Sequence, residues 1–345
     1  MNEKERPFAE IAAGGLFVCC KKVFLCYTKK KQTYKEITQM LLMCKDVPVY
    51  DIETEKVLNE QLLPGLMLQQ GANSHTFARW MKFRYSSGTN TIARKLKGIT
   101  FGQGARMRIN RETRALSFSD CYWLKDEKDP IKFSEISPYY QPFWDGSDTF
   151  SGQAAPTLYV GGAMSKEWKQ DKRLYKYGDV EVELECIRLC DQCGIPVEQA
   201  QKTENGISIV NITSPEYMLE QADESGRLDP DDFDETTVVE LFGKAGVQML
   251  ILDAIIGNGD RHAGNFGWLR DTQTGEYISM APLYDFDHAL DSKLESDRLL
   301  TDAVKASLNY KDEVKRIAGI ASESENEIFA RRAGTILEML NEEPV

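Results

Sequence analysis

Apolar and polar positions recur with different periods along this chain, and each change of period marks an element. Residues 47–53 alternate between apolar and polar, which predicts a strand, whereas residues 33–44 and 73–83 carry apolar side chains at helical spacing. In the second of these helices Phe77, Trp80 and Met81 fall on one face, and Asn73 or Ser74 supplies the cap. Residues 173–178 predict a strand ending in a turn, residues 182–193 a helix stopped by Gly194, and short strands follow around Ala200 and over 207–212. The acidic, turn-rich stretch 220–234 predicts a surface loop. Residues 236–256 are apolar almost throughout and predict one long helix. Residues 266–269 and 276–280 then read as two strands joined by the turn Asp271-Thr272-Gln273-Thr274-Gly275, and 309–340 as one or two closing helices.

The chemistry sits where the long helix ends. It runs into Asn258-Gly259-Asp260-Arg261-His262-Ala263-Gly264-Asn265, and the hairpin brings the chain back to Leu283-Tyr284-Asp285-Phe286-Asp287. Taken singly, Asp260, Asn265 and Asp285 are turn residues beside glycines. Taken together they are one proton acceptor and two hard oxygen ligands, the set that phosphoryl transfer from ATP with Mg²⁺ requires. In this reading Asp260 orients and deprotonates an acceptor hydroxyl, and Asn265 and Asp285 hold the metal. His262 either braces the loop by hydrogen bonding or shares in acid–base chemistry. Arg261 and Asp253 read as bracing groups.

A kinase also needs a strand lysine on the nucleotide phosphates, and Lys176 in the strand 173–178 fills that place. Ahead of it, Gly161, Gly162 and Ser165 offer two glycines and a hydroxyl, either as a phosphate-covering loop or as a plain hairpin turn. The adenine-contacting connection is placed near residues 218–221.

The run Leu252-Asp253-Ala254-Ile255-Ile256-Gly257-Asn258-Gly259-Asp260-Arg261-His262-Ala263-Gly264-Asn265-Phe266-Gly267, with Ala281-Pro282-Leu283-Tyr284-Asp285, resembles the HipA-like serine/threonine kinases, in particular their shorter bacterial members. The order Asp-Arg-His-x-x-Asn is also similar to that of phosphatidylinositol 3- and 4-kinases. The resemblance covers residues 158–290 by motif. It extends more loosely over 47–144, through Leu116-Ser117-Phe118-Ser119-Asp120-Cys121-Tyr122-Trp123-Leu124 and Phe133-Ser134-Glu135-Ile136. It implies an α+β, bilobal protein-kinase-like fold with an amino-terminal module: residues 1–32 as a leader of unassigned role, 33–145 as the module, 146–220 as the small lobe and 221–345 as the large lobe. A Gly/Ser/Asp-rich stretch, 144–152, has the character of the linker. The resemblance further implies ATP and Mg²⁺ as cofactors and transfer to Ser or Thr of a protein substrate, with autophosphorylation. The partner of Lys176 is then Glu183, eleven positions before Gly194, with Glu181 and Glu185 as alternative registers. Two other functions stay open: a kinase for a lipid or small molecule, and a weakly active kinase-like regulator held by a DNA-binding antitoxin. Asp287 departs from the pattern, because many protein kinases have glycine there; it is either a further metal contact or a structural hydrogen-bonding group.

Composition narrows these choices. A chain of 345 residues with 42% hydrophobic and 28% charged residues has enough apolar side chains for two lobes and an extra module. The net charge of −12 argues against direct nucleic-acid binding, and the Lys21-Lys22 and Lys29-Lys30-Lys31 clusters read as solvated. The apolar run within 14–27 is split by paired lysines and falls short of a membrane span or a secretory signal, so no membrane contact and a cytoplasmic location are expected. Cys186, Cys190 and Cys193 have a spacing that iron–sulfur clusters use, but the same spacing is one face of a helix, and buried inert thiols are expected.

Overall fold

The computed structural model describes residues 39–84, 113–143, 165–229, 233–290 and 297–341. Gly161 and Gly162, the stretch 144–152, the lysine clusters and residues 1–32 lie outside them.

In the amino-terminal part, strands β1 (Met40–Cys44), β2 (Val47–Asp51), β3 (Lys56–Val57) and β4 (Tyr122–Asp126) form an antiparallel sheet in the order β3-β2-β1-β4. Helices α1 (Gly65–Gln70), α2 (Ser74–Phe83) and α3 (Phe133–Ile136) belong to the same part. Leu42, Tyr50, Leu66, Phe77, Trp80, Phe118 and Trp123 make its core. Helix α2 is capped as its sequence predicts: the amides of His75 and Thr76 donate to the Asn73 side chain, and the Thr76 hydroxyl accepts from the Asn73 amide. The helix expected over 33–44 is corrected, since Met40–Cys44 is a strand and 33–38 lie outside the described residues. Its run Met40-Leu41-Leu42-Met43-Cys44 is sandwiched between β2 and β4, and a continuous apolar run has no period by which a buried strand differs from a helix.

A second antiparallel sheet has the order β5-β6-β8-β7, built from β5 (Ser165–Trp168), β6 (Arg173–Tyr177), β7 (Ala200–Thr203) and β8 (Gly206–Val210). Helix α4 (Glu181–Gln192) follows β6 and stops before Gly194, which has positive φ. Cys186, Cys190 and Cys193 are buried in the core beside it, and burial pushes their thiols up, Cys193 to about 11.

The third sheet, β11-β10-β9, pairs β9 (Tyr217–Gln221) with the hairpin β10 (Gly267–Asp271) and β11 (Tyr277–Met280). Around it lie α5 (Glu235–Phe242), α6 (Lys244–Ile256), α7 (Asp297–Ala306), α8 (Lys311–Ala321) and α9 (Glu327–Asn341). The single helix expected over 236–256 is two. Gly243 breaks it at φ 56 and ψ −129, a conformation open to glycine, and closes α5 while opening α6. Helix α6 is buried on all sides, packed against α5, α7, α8 and α9, which explains its lack of a polar face. The surface loop expected over 220–234 is also corrected: Glu220 is a strand residue, and Glu220, Ala222 and Ser225 are buried. No helix among the described residues is long and apolar enough to cross a membrane.

The amino-terminal part is joined to the third sheet through Arg270, which is fully buried. Its guanidinium donates to Glu220 Oε2 at 2.6 Å, to the carbonyls of Leu63, Gln61 and Gly275, and to the Tyr122 hydroxyl at 3.4 Å. Glu220 accepts in turn from the Gly65 amide and the Tyr277 hydroxyl. A Cβ at Gly65 would lie 1.8 Å from Glu220 Oε1, so only glycine lets the start of α1 approach this carboxylate. Met218 of β9 is buried in the amino-terminal core, completing the joint. Removing one partner from a buried ion pair strands the other charge, so Arg270→Ala should lower unfolding stability by about 3–5 kcal/mol. Urea denaturation checks this, and a loss under about 1 kcal/mol, the scale of an exposed pair, would refute it.

Candidate active site

Lys176 is placed by strand pairing. In β6 it lies between Lys166 of β5 and Ile207 of β8, and its side chain is 2% exposed. Its Nζ lies 2.5 Å from Glu183 Oε1 and 3.0 Å from Asp285 Oδ1. The expected register is therefore present: Glu183, on the first turn of α4, faces Lys176, whereas Glu181 pairs with Lys202 at the surface and Glu185 with Asn326. Burial lowers the pKa of an ammonium, but here Glu198, Glu183 and Asp285 outweigh it and the net shift is upward, so Lys176 stays charged.

Cross-strand pairing puts the neighbouring lysine on the same face. Lys166 Nζ is 3.3 Å from Asp285 Oδ1 and 3.7 Å from Asp287 Oδ2. Two ammonium groups directly opposite each other repel, and the three carboxylates between and beside them offset that repulsion. Burial would raise the Asp285 carboxyl, but Lys176 and Lys166 prevail and hold it at about 2. Both lysines use the same oxygen, Oδ1. Asp287 is thus seen in an ion pair. Ser165 is exposed at the start of β5 and pairs in register with Tyr177.

The loop after α6 is held by one buried ion pair. Asp253 Oδ1 accepts from Asn258 Nδ2 and Arg261 Nη2, and Asp253 Oδ2 accepts from Arg261 Nε, each at 2.9 Å. Arg261 Nη1 donates to the carbonyls of Asn265 at 3.0 Å and Tyr284 at 2.8 Å. One nitrogen therefore ties the catalytic-loop candidate to the residue before Asp285, which is the adjacency expected from the hairpin. The bracing roles read for Asp253 and Arg261 match these contacts. The Asp260 side chain is 43% exposed, with His288 Nε2 at 3.8 Å. His262 is exposed, and its Nδ1 accepts the Gly264 amide at 3.1 Å, a local brace. The Asn265 Nδ2 donates to the Asp260 carbonyl at 3.4 Å.

This donor set fits Mg²⁺ with phosphate. Asn265 and Asp285 offer one neutral and one anionic oxygen, and Mg²⁺ is commonly held by one or two protein groups with waters and phosphate oxygens completing its shell. Among the described residues no three His, Cys, Asp or Glu side chains form a metal cage by themselves.

Three residues of this region carry no motif in the sequence. Lys166 becomes visible only through the β5–β6 register. Glu198 is buried, accepts the Asp285 amide at 3.3 Å, and is pushed up by burial against the opposing pull of Lys176. Asp223, just past β9, has a buried Oδ1 without a hydrogen-bond partner, and burial raises its carboxyl while His262 partly offsets that. Gln221 of β9 donates to the Gly264 carbonyl, as does the Tyr284 hydroxyl at 3.1 Å, so the strand expected to contact adenine is bonded to the loop.

A depressed carboxyl pKa stabilises the fold above the ordinary aspartate value and loses that contribution as pH falls through the folded value. The stability gap between the wild-type protein and Asp285→Asn should be largest above about pH 4 and narrow toward about pH 2. Chemical denaturation across that range measures it. A gap independent of pH would contradict the ion-pair account.

Comparison with known proteins agrees with this architecture. HipA of Shewanella oneidensis MR-1, in a structure with HipB and operator DNA, matches 87% of this chain and 96% of its own with a TM-score of 0.54 at 14% sequence identity. The Helicobacter pylori proinflammatory kinase CtkA matches 51% of this chain and 88% of its own at 17% identity, with a TM-score of 0.32 that carries no weight. No protein-family model and no curated protein matches the sequence. The α+β chain, with its amino-terminal part and two further sheets, has the two-lobed fold of HipA.

Proposed function

We propose that the protein is an ATP- and Mg²⁺-dependent kinase that transfers phosphate to Ser or Thr hydroxyls of a protein, itself included. The observation that carries this reading is Asp285 meeting the Lys176–Glu183 pair on one side while its neighbour Tyr284 is tied to the Asn265 loop by Arg261 on the other. Groups from four separate stretches converge there, and they are the groups phosphoryl transfer uses. Asn265 and Asp285 would hold Mg²⁺, which when bound would supply positive charge against the phosphates. Lys176, fixed by Glu183, contacts the phosphates, and Ser165, at the start of β5, is assigned to the same phosphate group, as are Gly161 and Gly162, which lie outside the described residues. Asp260, the exposed carboxylate, orients the acceptor hydroxyl and takes its proton as the oxygen attacks. His262 braces this loop through Nδ1. The buried orphan oxygen of Asp223 is a group that a nucleotide hydroxyl would satisfy. The division into 33–145, 146–220 and 221–345 belongs to this reading.

The fold shared with HipA, observed with HipB and DNA, favours one further element: a DNA-binding, antitoxin-like partner that restrains the enzyme in the cytoplasm. Fold likeness alone supports it.

Purified protein with labelled ATP, Mg²⁺ and a lysate of its own cells should label protein, including the enzyme. Label confined to lipid or small molecules would replace the protein-kinase reading with the lipid or metabolite one.

The two aspartates should fail differently. Asp260→Asn keeps the metal site but cannot accept a proton, so Mg²⁺-ATP still binds while transfer falls by roughly 10² to 10⁴-fold. Asp285→Asn removes charge from the metal position, so nucleotide binding weakens and loses its dependence on Mg²⁺. Calorimetric titration of the two folded variants separates these outcomes, and the reverse pattern would exchange the assigned roles.

A further inference from the structure

Glu198 has no part in the chemistry described so far, yet it is a buried carboxylate, 5% exposed, beside the reacting groups. Its Oε1 accepts the backbone N–H of Asp285 at 3.3 Å. The main chain around it is stitched to the same segment: the Glu198 amide donates to the Leu283 carbonyl at 2.9 Å, and the Leu283 amide donates to the Pro196 carbonyl at 2.9 Å. Val197 and Leu283 form a parallel bridge. Asp285 itself has φ 61, the left-handed region, which side chains other than glycine rarely adopt and which persists only when its surroundings enforce it.

An extended or right-handed Asp285 would swing its carboxylate away from Lys176 and Lys166. The two lysines pull on the side chain, but they cannot fix the backbone. Among the described contacts of this residue, the backbone amide is fixed by Glu198.

We propose that Glu198 is a positioning residue: its side chain, by accepting the Asp285 amide, holds the segment in its left-handed turn and so aims the Asp285 carboxylate at the Lys176 ammonium and the metal position. This rests on the phosphotransfer reading for the metal, though not for the turn. The rival role is a plain counter-charge for Lys176, and the two differ chemically. Glu198→Gln removes the charge and keeps an accepting oxygen; Glu198→Ala removes both.

Two measurements on the full chain decide it. Hydrogen exchange followed over residues 281–288 reads the turn without any ligand, and ATP titration with and without Mg²⁺ reads the metal position. Losing one buried acceptor should speed exchange in this segment about tenfold in Glu198→Ala and weaken Mg²⁺-ATP binding about tenfold, with Mg²⁺-free ATP unaffected. Glu198→Gln should stay within about twofold of wild type in both. If Glu198→Ala does not fold, Glu198→Leu, which fills the space without an acceptor, takes its place with the same expectation. Unchanged exchange in the folded Ala or Leu variant overturns the proposal. So does equal damage in Glu198→Gln, which would make charge the operative property. Wild-type protein that binds ATP without any response to Mg²⁺ would instead sink the phosphotransfer reading, and with it the purpose assigned to the turn, while the exchange result would still report whether Glu198 holds it.

Discussion

A buried ammonium is the constraint around which this site is built. Lys176 is almost completely withdrawn from water, and an uncompensated charge in that position would cost several kcal/mol, about the whole stability of many domains. Glu183 from α4 and Asp285 from beyond the β10–β11 hairpin pair with it directly, so neutralising one charge fixes both of these stretches against β6. The contacts that bring these stretches together are also the ones that make the buried lysine tolerable.

The loop bearing Asp260 is arranged on the opposite logic. Its bracing groups, Asp253, Asn258 and Arg261, are buried and bonded to each other, while Asp260 itself is left partly in solvent. The proposed role of Asp260, meeting an acceptor from outside, calls for such rigid support beneath an accessible carboxylate. Arg261 serves both sides, since the nitrogen that supports Asn265 also holds the carbonyl before Asp285.

Arg270 plays the corresponding part at the back of the third sheet. It neutralises Glu220 one residue before Gln221, which is bonded to the loop bearing Asp260, and the same guanidinium holds carbonyls of the segment leading to α1. The amino-terminal part is thereby connected to the loop through a short series of buried polar contacts.

Residues that act through local chemistry were legible in the sequence. The cap at Asn73, the stop at Gly194, the strand around Lys176 and the returning hairpin follow from short-range rules of turn, cap and period, and the roles proposed for Asp260, Asn265 and Asp285 rest on their order in the chain. The Lys176–Glu183 register came from the family pattern, and the geometry agrees with it. What the sequence by itself left undetermined has a common cause. The strand at Met40–Cys44, the break at Gly243, the burial of Glu220 and the presence of Lys166 and Glu198 beside Asp285 each depend on a partner far away in the chain. Only the tertiary structure supplies those partners, because a buried strand is defined by its neighbours and a buried charge by its counter-charges, and neither leaves a mark in the residues next to it.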